Sequence, residues 1–235
     1  MNRQRVHALI PAAGRSVRFG GTTLKQYAHL LGTPVMAHSM AAVERHDAVE
    51  SVSVALAPDD GIFDQLIRSH YPSVQTVTGG DSRAQTVMNG LRFIIKQHPD
   101  CEWVLVHDAA RPCLSLADLS RLLDEGLQSD AGAILAVPVN DTLKLADGAG
   151  CIEQTVDRSR YWAAQTPQLF RISELILNLE AALSAELIPT DEASAMEYAG
   201  AHPLLVEGST SNIKITGAED LALAEFILQR QSVRE

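Results

Sequence analysis

The sequence predicts an α/β protein built on a mostly parallel sheet, and three observations carry that expectation. Short apolar runs recur along the chain, helical periodicities separate them, and turn residues mark the boundaries. The runs are "VHALI" (6–10), "VSVALA" (52–57), "VQTV" (74–77), "WVLVH" (103–107) and "AILAVPV" (133–139).

The clearest helix follows "GGDS". Ala84, Val87, Met88, Leu91, Ile94 and Ile95 recur at i, i+3, i+4, i+7 spacing, Pro99 marks the end, and Asp81 or Ser82 is the expected N-cap. Thr33 with Pro34 opens a second helix and Ser115 a third, while Thr216 with Glu219 reads as a capping box ahead of Leu221, Ala224, Ile227 and Leu228. Between Asn140 and Gln165 the alternation fails. That stretch is polar with "DGAG" near its middle, which predicts a protruding hairpin or arm over about 140–165.

With 235 residues, 46% hydrophobic and 20% charged, the chain is expected to form a single domain over 1–235 around a sizeable core. Its formal charge of −10 argues against gripping nucleic acid or an anionic membrane, so an anionic small molecule needs a local basic site. Cys101, Cys113 and Cys151 match neither a disulfide framework nor a metal spacing, and a reducing, cytoplasmic setting is expected. Pro11, Arg15 and Arg18 interrupt the N-terminal apolar run before a secretory core forms, and the longest apolar stretch, 131–139, falls short of the roughly 20 residues a membrane span needs.

In open α/β sheets ligands bind outside the carboxyl ends of the strands. After the first strand, "PAAGRSVRFGGTTLK" offers small residues that let a ligand approach the backbone, followed by Arg15, Arg18 and Lys25. It completes neither GxGxxG nor GxxxxGK[ST], which disfavours a dinucleotide fold. "TGGDSRAQT" supplies Gly79, Gly80 and Asp81, and "HDAARP" sets Asp108 and Arg111 around two alanines. Taken singly, each loop is more often a plain turn or a solvated charge. The first and last of these loops both pair small residues with basic groups at the expected carboxyl edge, and their joint reading is an anion pocket. His107 ends a strand and is read as a core histidine without a catalytic role. No GxSxG, HExxH or Walker lysine is present, which fits phosphoryl or nucleotidyl transfer, where positioning and charge stabilisation do most of the catalysis.

The motifs "PAAGRSVRFG" with "LKQY", "GGDSRAQTV", "VHDAARPC", "PVNDTLK", "TVDRSRYWAAQTPQ", "TDEASAMEYAG" and "EGSTSNIKITGAEDLALAE" occur in order from about Val6 to about Ile227. Together they closely resemble the 2-C-methyl-D-erythritol 4-phosphate cytidylyltransferases of the non-mevalonate isoprenoid pathway. The ribitol 5-phosphate cytidylyltransferases share much of the pattern and stand as the alternative. A nucleotide-binding regulator without catalysis is a third reading, made improbable by the intact basic set.

The resemblance implies a Rossmann-like, nucleotide-diphospho-sugar transferase type of fold, a β-hairpin dimerisation arm, a homodimer, and Mg²⁺ as cofactor. CTP and the polyol phosphate are the implied partners, giving 4-diphosphocytidyl-2-C-methyl-D-erythritol and pyrophosphate. Pro11, Ala12, Ala13 and Gly14 match the nucleotide-phosphate loop, with Arg18 and Lys25 as its catalytic basic pair. Gly80, Asp81 and Thr86 fall where the family holds cytosine. Asp108 and Ala109 match ribose and phosphate contacts, with Asp108 also placed to help hold Mg²⁺. Arg111, Thr142, Arg158, Thr166, Thr190 and Lys214 match the grip on the sugar phosphate, Arg158 and Lys214 acting in catalysis and Arg158 reaching over from the partner's arm. The chain departs from the family in carrying Ser16 where a second glycine is frequent, Phe19 where methionine is, and Thr86 where serine is common.

Overall fold

The structure is a computed structural model that describes residues 5–15 and 24–233. Among these residues the centre is a seven-stranded sheet. Its strands are β1 (Val6–Pro11), β4 (Val49–Leu56), β5 (Gln75–Thr78), β6 (Trp103–Val106), β7 (Ala133–Pro138), β10 (Trp162–Arg171) and β11 (Leu204–Glu207). They lie in the order β11-β7-β10-β6-β1-β4-β5. β10 runs antiparallel to both its neighbours, and the other pairings are parallel. The carboxyl ends of β1, β4, β5 and β6 therefore share one edge. Short β2 (His29–Leu30) and β3 (Thr33–Pro34) form a separate pair.

Alternation along the strands builds two cores. Val6, Ala8 and Ile10 of β1 with Trp103 and Leu105 of β6 face α1 (Val35–Glu44), α2 (Ile62–Leu66) and α4 (Leu116–Gly126). Leu9, Val104 and Val106 face α3 (Arg83–Gln97), α5 (Ile172–Ser184) and α6 (Glu192–Tyr198). α3 crosses β1 closely, because a Cβ on Gly90 would sit 2.4 Å from Leu9 Cδ1. A third cluster holds α7 (Glu219–Ser232) through Ala224, against Leu30, Val35, Cys113 and Ile215. Among the described residues no helix is long and apolar enough to cross a membrane.

Helix starts repeat the sequence expectation in part. Ser82 caps α3, accepting from Gln85 N at 3.1 Å, and Ser115 caps α4, accepting from Asp118 N at 3.1 Å. Pro34, not Thr33, is the N-cap of α1; Thr33 is taken into β3, extended as a residue before proline prefers. The Thr216–Glu219 box does not form. α7 starts after Ala218, and Asp220 Oδ2 instead accepts from Thr216 N at 2.7 Å and Gly217 N at 2.9 Å, the shorter carboxylate curling back on the turn before it. A capping box does occur at α6, between Asp191 and Ser194.

The expected arm is shorter than 140–165. β8 (Leu143–Ala146) and β9 (Ile152–Val156) pair antiparallel as a hairpin, a 3-10 turn follows at Arg158–Arg160, and Trp162 to Ala164 already pair with β7 in the main sheet. Asp147 closes the hairpin turn, its Oδ1 accepting from Ala149 N and Cys151 N.

Candidate active site

Where the carboxyl ends of β1, β4, β5 and β6 meet, the loops after them enclose a cleft of about 640 Å³. Pro11 to Arg15 follow β1, Ala57 to Asp59 follow β4, Gly80 to Arg83 follow β5 and enter α3, and Asp108 to Ala110 follow β6. Lys25, Gln26, Thr86 and Lys214 complete the wall.

Asp108 is the electrostatic centre. It is 8% exposed and meets Lys214 Nζ at 2.8 Å, Arg111 Nε at 3.4 Å and Arg83 Nη2 at 3.6 Å. Burial alone would raise its pKa, but Lys214, Arg83 and Arg111 outweigh burial and hold the carboxyl well below the usual range. The backbone N–H of Asp108 donates to Thr166 Oγ1 at 3.0 Å. Behind it, His107 is fully buried. Its Nε2 donates to the Arg111 carbonyl at 3.0 Å, which leaves Nδ1 to accept from the Thr166 hydroxyl at 3.1 Å. Burial depresses its pKa to about 4, so the ring is neutral, and the expectation of a core histidine holds.

The phosphate-type loop is held by its surroundings. Gln26, 4% exposed, donates to the carbonyls of Ala12 at 3.1 Å and Gly14 at 3.3 Å. Arg15 bridges the mouth to Asp59 at 2.5 Å and lowers that carboxyl's pKa. Lys25 stands in a 3-10 turn, Lys25–Tyr27, on the cleft wall. On the β5 side, Thr86 Oγ1 donates its one proton to Ser82 O at 2.8 Å, with Gly80 O the alternative acceptor at 3.2 Å, and accepts from Gly80 N at 3.1 Å. Thr86 thereby fixes the loop around Gly80 and Asp81. A Cβ on Gly79 would fall 2.6 Å from Ala13 Cβ, so glycine lets the β5 loop pack on the β1 loop.

The structure brings together Pro11, Ala12, Ala13, Gly14, Lys25, Gly80, Asp81, Thr86, Asp108, Ala109 and Lys214 in one cleft. Arg111 lies directly behind Asp108, its Nη1 donating to the Asn212 carbonyl at 2.7 Å. Thr166 is 5% exposed and spends its hydroxyl on the Asp108 loop, away from the cleft wall. Thr142 and Arg158 are exposed at the foot of the hairpin, where Arg158 donates to the Asn140 carbonyl, and Thr190 is exposed beside α6. None of these three lines the cleft of its own chain. Arg18, Ser16 and Phe19 lie outside the described residues.

Sequence reasoning missed Arg83 and Glu192. Arg83 grips Glu192 at 2.7 and 2.9 Å, both contacts fork to fork, with Glu192 only 1% exposed. Burial opposes the charge on Arg83, but Glu192 and then Asp108 outweigh it and raise its pKa. The signal was present in "GGDSRAQT": Arg83 opens α3, and a cation at a helix N-terminus opposes the helix dipole, so another demand must hold it there.

Three comparisons bear on this arrangement. The family model for 2-C-methyl-D-erythritol 4-phosphate cytidylyltransferase (IspD) matches residues 6–230. A relative of that name from Tolumonas auensis is 44% identical over 96% of this chain and 97% of its own length. Another from Xanthomonas campestris pv. campestris is 49% identical over 95% of this chain and 84% of its own. A crystal structure titled 4-diphosphocytidyl-2C-methyl-D-erythritol synthase superposes with a TM-score of 0.83 at 39% identity, covering 97% of this chain and 100% of that one. Sequence and fold agree along nearly the whole length, and the chain belongs to the 2-C-methyl-D-erythritol 4-phosphate cytidylyltransferase family.

Proposed function

We propose that the carboxyl-edge cleft is where this cytidylyltransferase joins CTP to 2-C-methyl-D-erythritol 4-phosphate, giving 4-diphosphocytidyl-2-C-methyl-D-erythritol and pyrophosphate for isoprenoid synthesis. One observation carries the placement: in a chain of net charge −10, Lys25, Lys214 and Arg83 converge on a single cleft built from βα loops. Such focusing raises the local concentration of an anionic substrate. The family and its named relatives favour methylerythritol phosphate, and the ribitol phosphate reading is not favoured.

The Gly80–Asp81 loop, pinned by Thr86, receives the cytosine, while the backbone from Pro11 to Gly14, held by Gln26, follows the phosphates. Asp108 and Ala109 meet the ribose side. A phosphate oxygen of the second substrate attacks the α-phosphorus in line and pyrophosphate departs. The attacking phosphate is already anionic near neutral pH, so no general base is needed. Lys25, with Arg18, neutralises charge that grows on the departing phosphates, and Lys214 steadies the incoming one while Arg111 adds positive charge from behind Asp108. Thr142 and Arg158 act from the arm of a second copy, with Thr190 on the sugar-phosphate side and Thr166 acting from behind, through the Asp108 N–H it receives.

Mg²⁺ fits this donor set in one way. Among the described residues no group of three or more His, Cys, Asp or Glu side chains is placed to hold a metal, and Asp108 is the acidic group at the cleft's centre. A hard cation that keeps several waters and binds through one carboxylate plus substrate phosphates matches that supply. Bound there, it would neutralise phosphate charge.

The test is pyrophosphate release with CTP or UTP against each polyol phosphate, for the wild type and Lys25→Ala. Turnover is expected with CTP and methylerythritol phosphate, reduced about 10²-fold or more in the variant. Near-wild-type turnover of a folded Lys25→Ala would remove Lys25 from the mechanism, and preference for ribitol phosphate would overturn the substrate.

A further inference from the structure

We propose that Asn212 is a positioning residue for the transfer: its buried amide pins the segment that carries Lys214 onto Asp108. This rests on the catalytic reading of Lys214 given above.

Between the end of β11 at Glu207 and the start of α7 at Glu219 the chain has no regular structure, so its path is set by individual contacts. Asn212 is at their centre and is fully buried. Its Nδ2 donates to the Thr166 carbonyl at 2.9 Å and to Gln165 Oε1 at 3.4 Å. Its backbone N–H donates to Ser209 O at 3.0 Å, and Gln165 Nε2 donates to the same carbonyl at 3.0 Å. Gly208 admits this closeness, since a Cβ there would stand 2.7 Å from Gln165 Oε1. Three residues on, Ile215, also fully buried, donates its N–H to Ala110 O at 2.8 Å. Lys214 is thus suspended between two anchors, one on β10 and one on the loop after β6.

Asn212 also touches the other supports of Asp108. Its carbonyl accepts from Arg111 Nη1, and the Thr166 it holds supplies the hydroxyl that receives the Asp108 N–H. Through its amide and its carbonyl together, one residue therefore ties the Lys214 segment to β10 and to the loop after β6, on either side of the same carboxylate. Asn212 Oδ1 is buried without a hydrogen-bond partner among the described residues, so the amide's hold on this segment runs through its Nδ2. A lysine has a long, flexible stem, and a displacement of about 1 Å at its backbone is enough to degrade transition-state alignment.

A double-mutant cycle tests this, with kcat and KM for both substrates and the melting temperature measured for Asn212→Ala, Lys214→Ala and the pair. Asn212→Ala should lower kcat about tenfold or more while KM for CTP stays within about threefold, because Gly80 and Asp81 lie across the cleft. In the Lys214→Ala background the same change should cost less than about threefold. Fully additive losses, or a fall in melting temperature with kcat preserved, would overturn the proposal and leave Asn212 a stability residue. Wild-type turnover in Lys214→Ala alone would instead overturn the catalytic reading of the site. Should Asn212→Ala not fold, Gln165→Ala removes the 3.4 Å contact to Asn212 and the bond to the Ser209 carbonyl while the Thr166 anchor stays, and should show the same non-additivity with a smaller loss, about three- to fivefold.

Discussion

At the scale of single residues, His107 shows how the site is kept rigid without being reactive. Its two nitrogens are committed to the Arg111 carbonyl and the Thr166 hydroxyl, and burial holds its pKa near 4. In the unfolded chain an ordinary histidine titrates near 6.5, so between about pH 6.5 and 4 the unfolded state binds a proton that the folded state refuses. Its contribution is therefore complete above the unfolded value and is lost as pH falls. The slope for one proton is about 1.4 kcal/mol per pH unit. His7, whose pKa burial and His98 also lower, works in the same direction. Denaturant unfolding at several pH values between 7.5 and 4.5 should show this slope, and a folded His107→Asn variant should show a flatter one. An unchanged slope would mean the ring is charged or solvated.

At the scale of elements, legibility followed the balance between local pattern and tertiary context. α3 was readable in full because its apolar face repeats for four turns and Ser82 and Pro99 bracket it. β10 was not. "WAAQTPQLFR" has small and polar residues and an internal proline, which argue against a central strand, yet the strand bulges between Ala164 and Gln168 and so keeps its place between β6 and β7. The cleft was legible where its parts follow strands, and Arg83 was missed because its partner Glu192 lies 109 positions away. That pair ties α3 to α6. Arg83→Met should destabilise by about 3–5 kcal/mol, since it strands a buried carboxylate. Adding Glu192→Leu should restore much of that stability while CTP affinity stays weakened, because the charge beside Asp108 is still gone. If stability did not return in the double variant, the single loss would reflect packing and not the stranded charge; if CTP affinity returned too, Arg83 would be structural alone.

At the scale of the whole molecule, the hairpin raises the question of what completes the cleft. A two-stranded hairpin is marginal by itself. This one exposes Leu145 at 44% and Ile152 at 67%, with Tyr161 at 48% near its foot, an apolar surface that calls for cover. Thr142 and Arg158 flank it without lining the cleft of their own chain, and in the function proposed above a second copy related by a two-fold axis covers the hairpin and receives those residues at once. The proposal predicts the behaviour of mixed subunits. Lys25→Ala and Arg158→Ala homodimers should each be nearly inactive. In a heterodimer, one cleft carries both defects, while the other joins an intact Lys25 to an intact Arg158 from its partner. Half of a random equimolar mixture is heterodimer, so recovery should approach about a quarter of wild-type activity. If Arg158 served the cleft of its own chain, each heterodimer cleft would carry one defect and verified heterodimers would recover nothing.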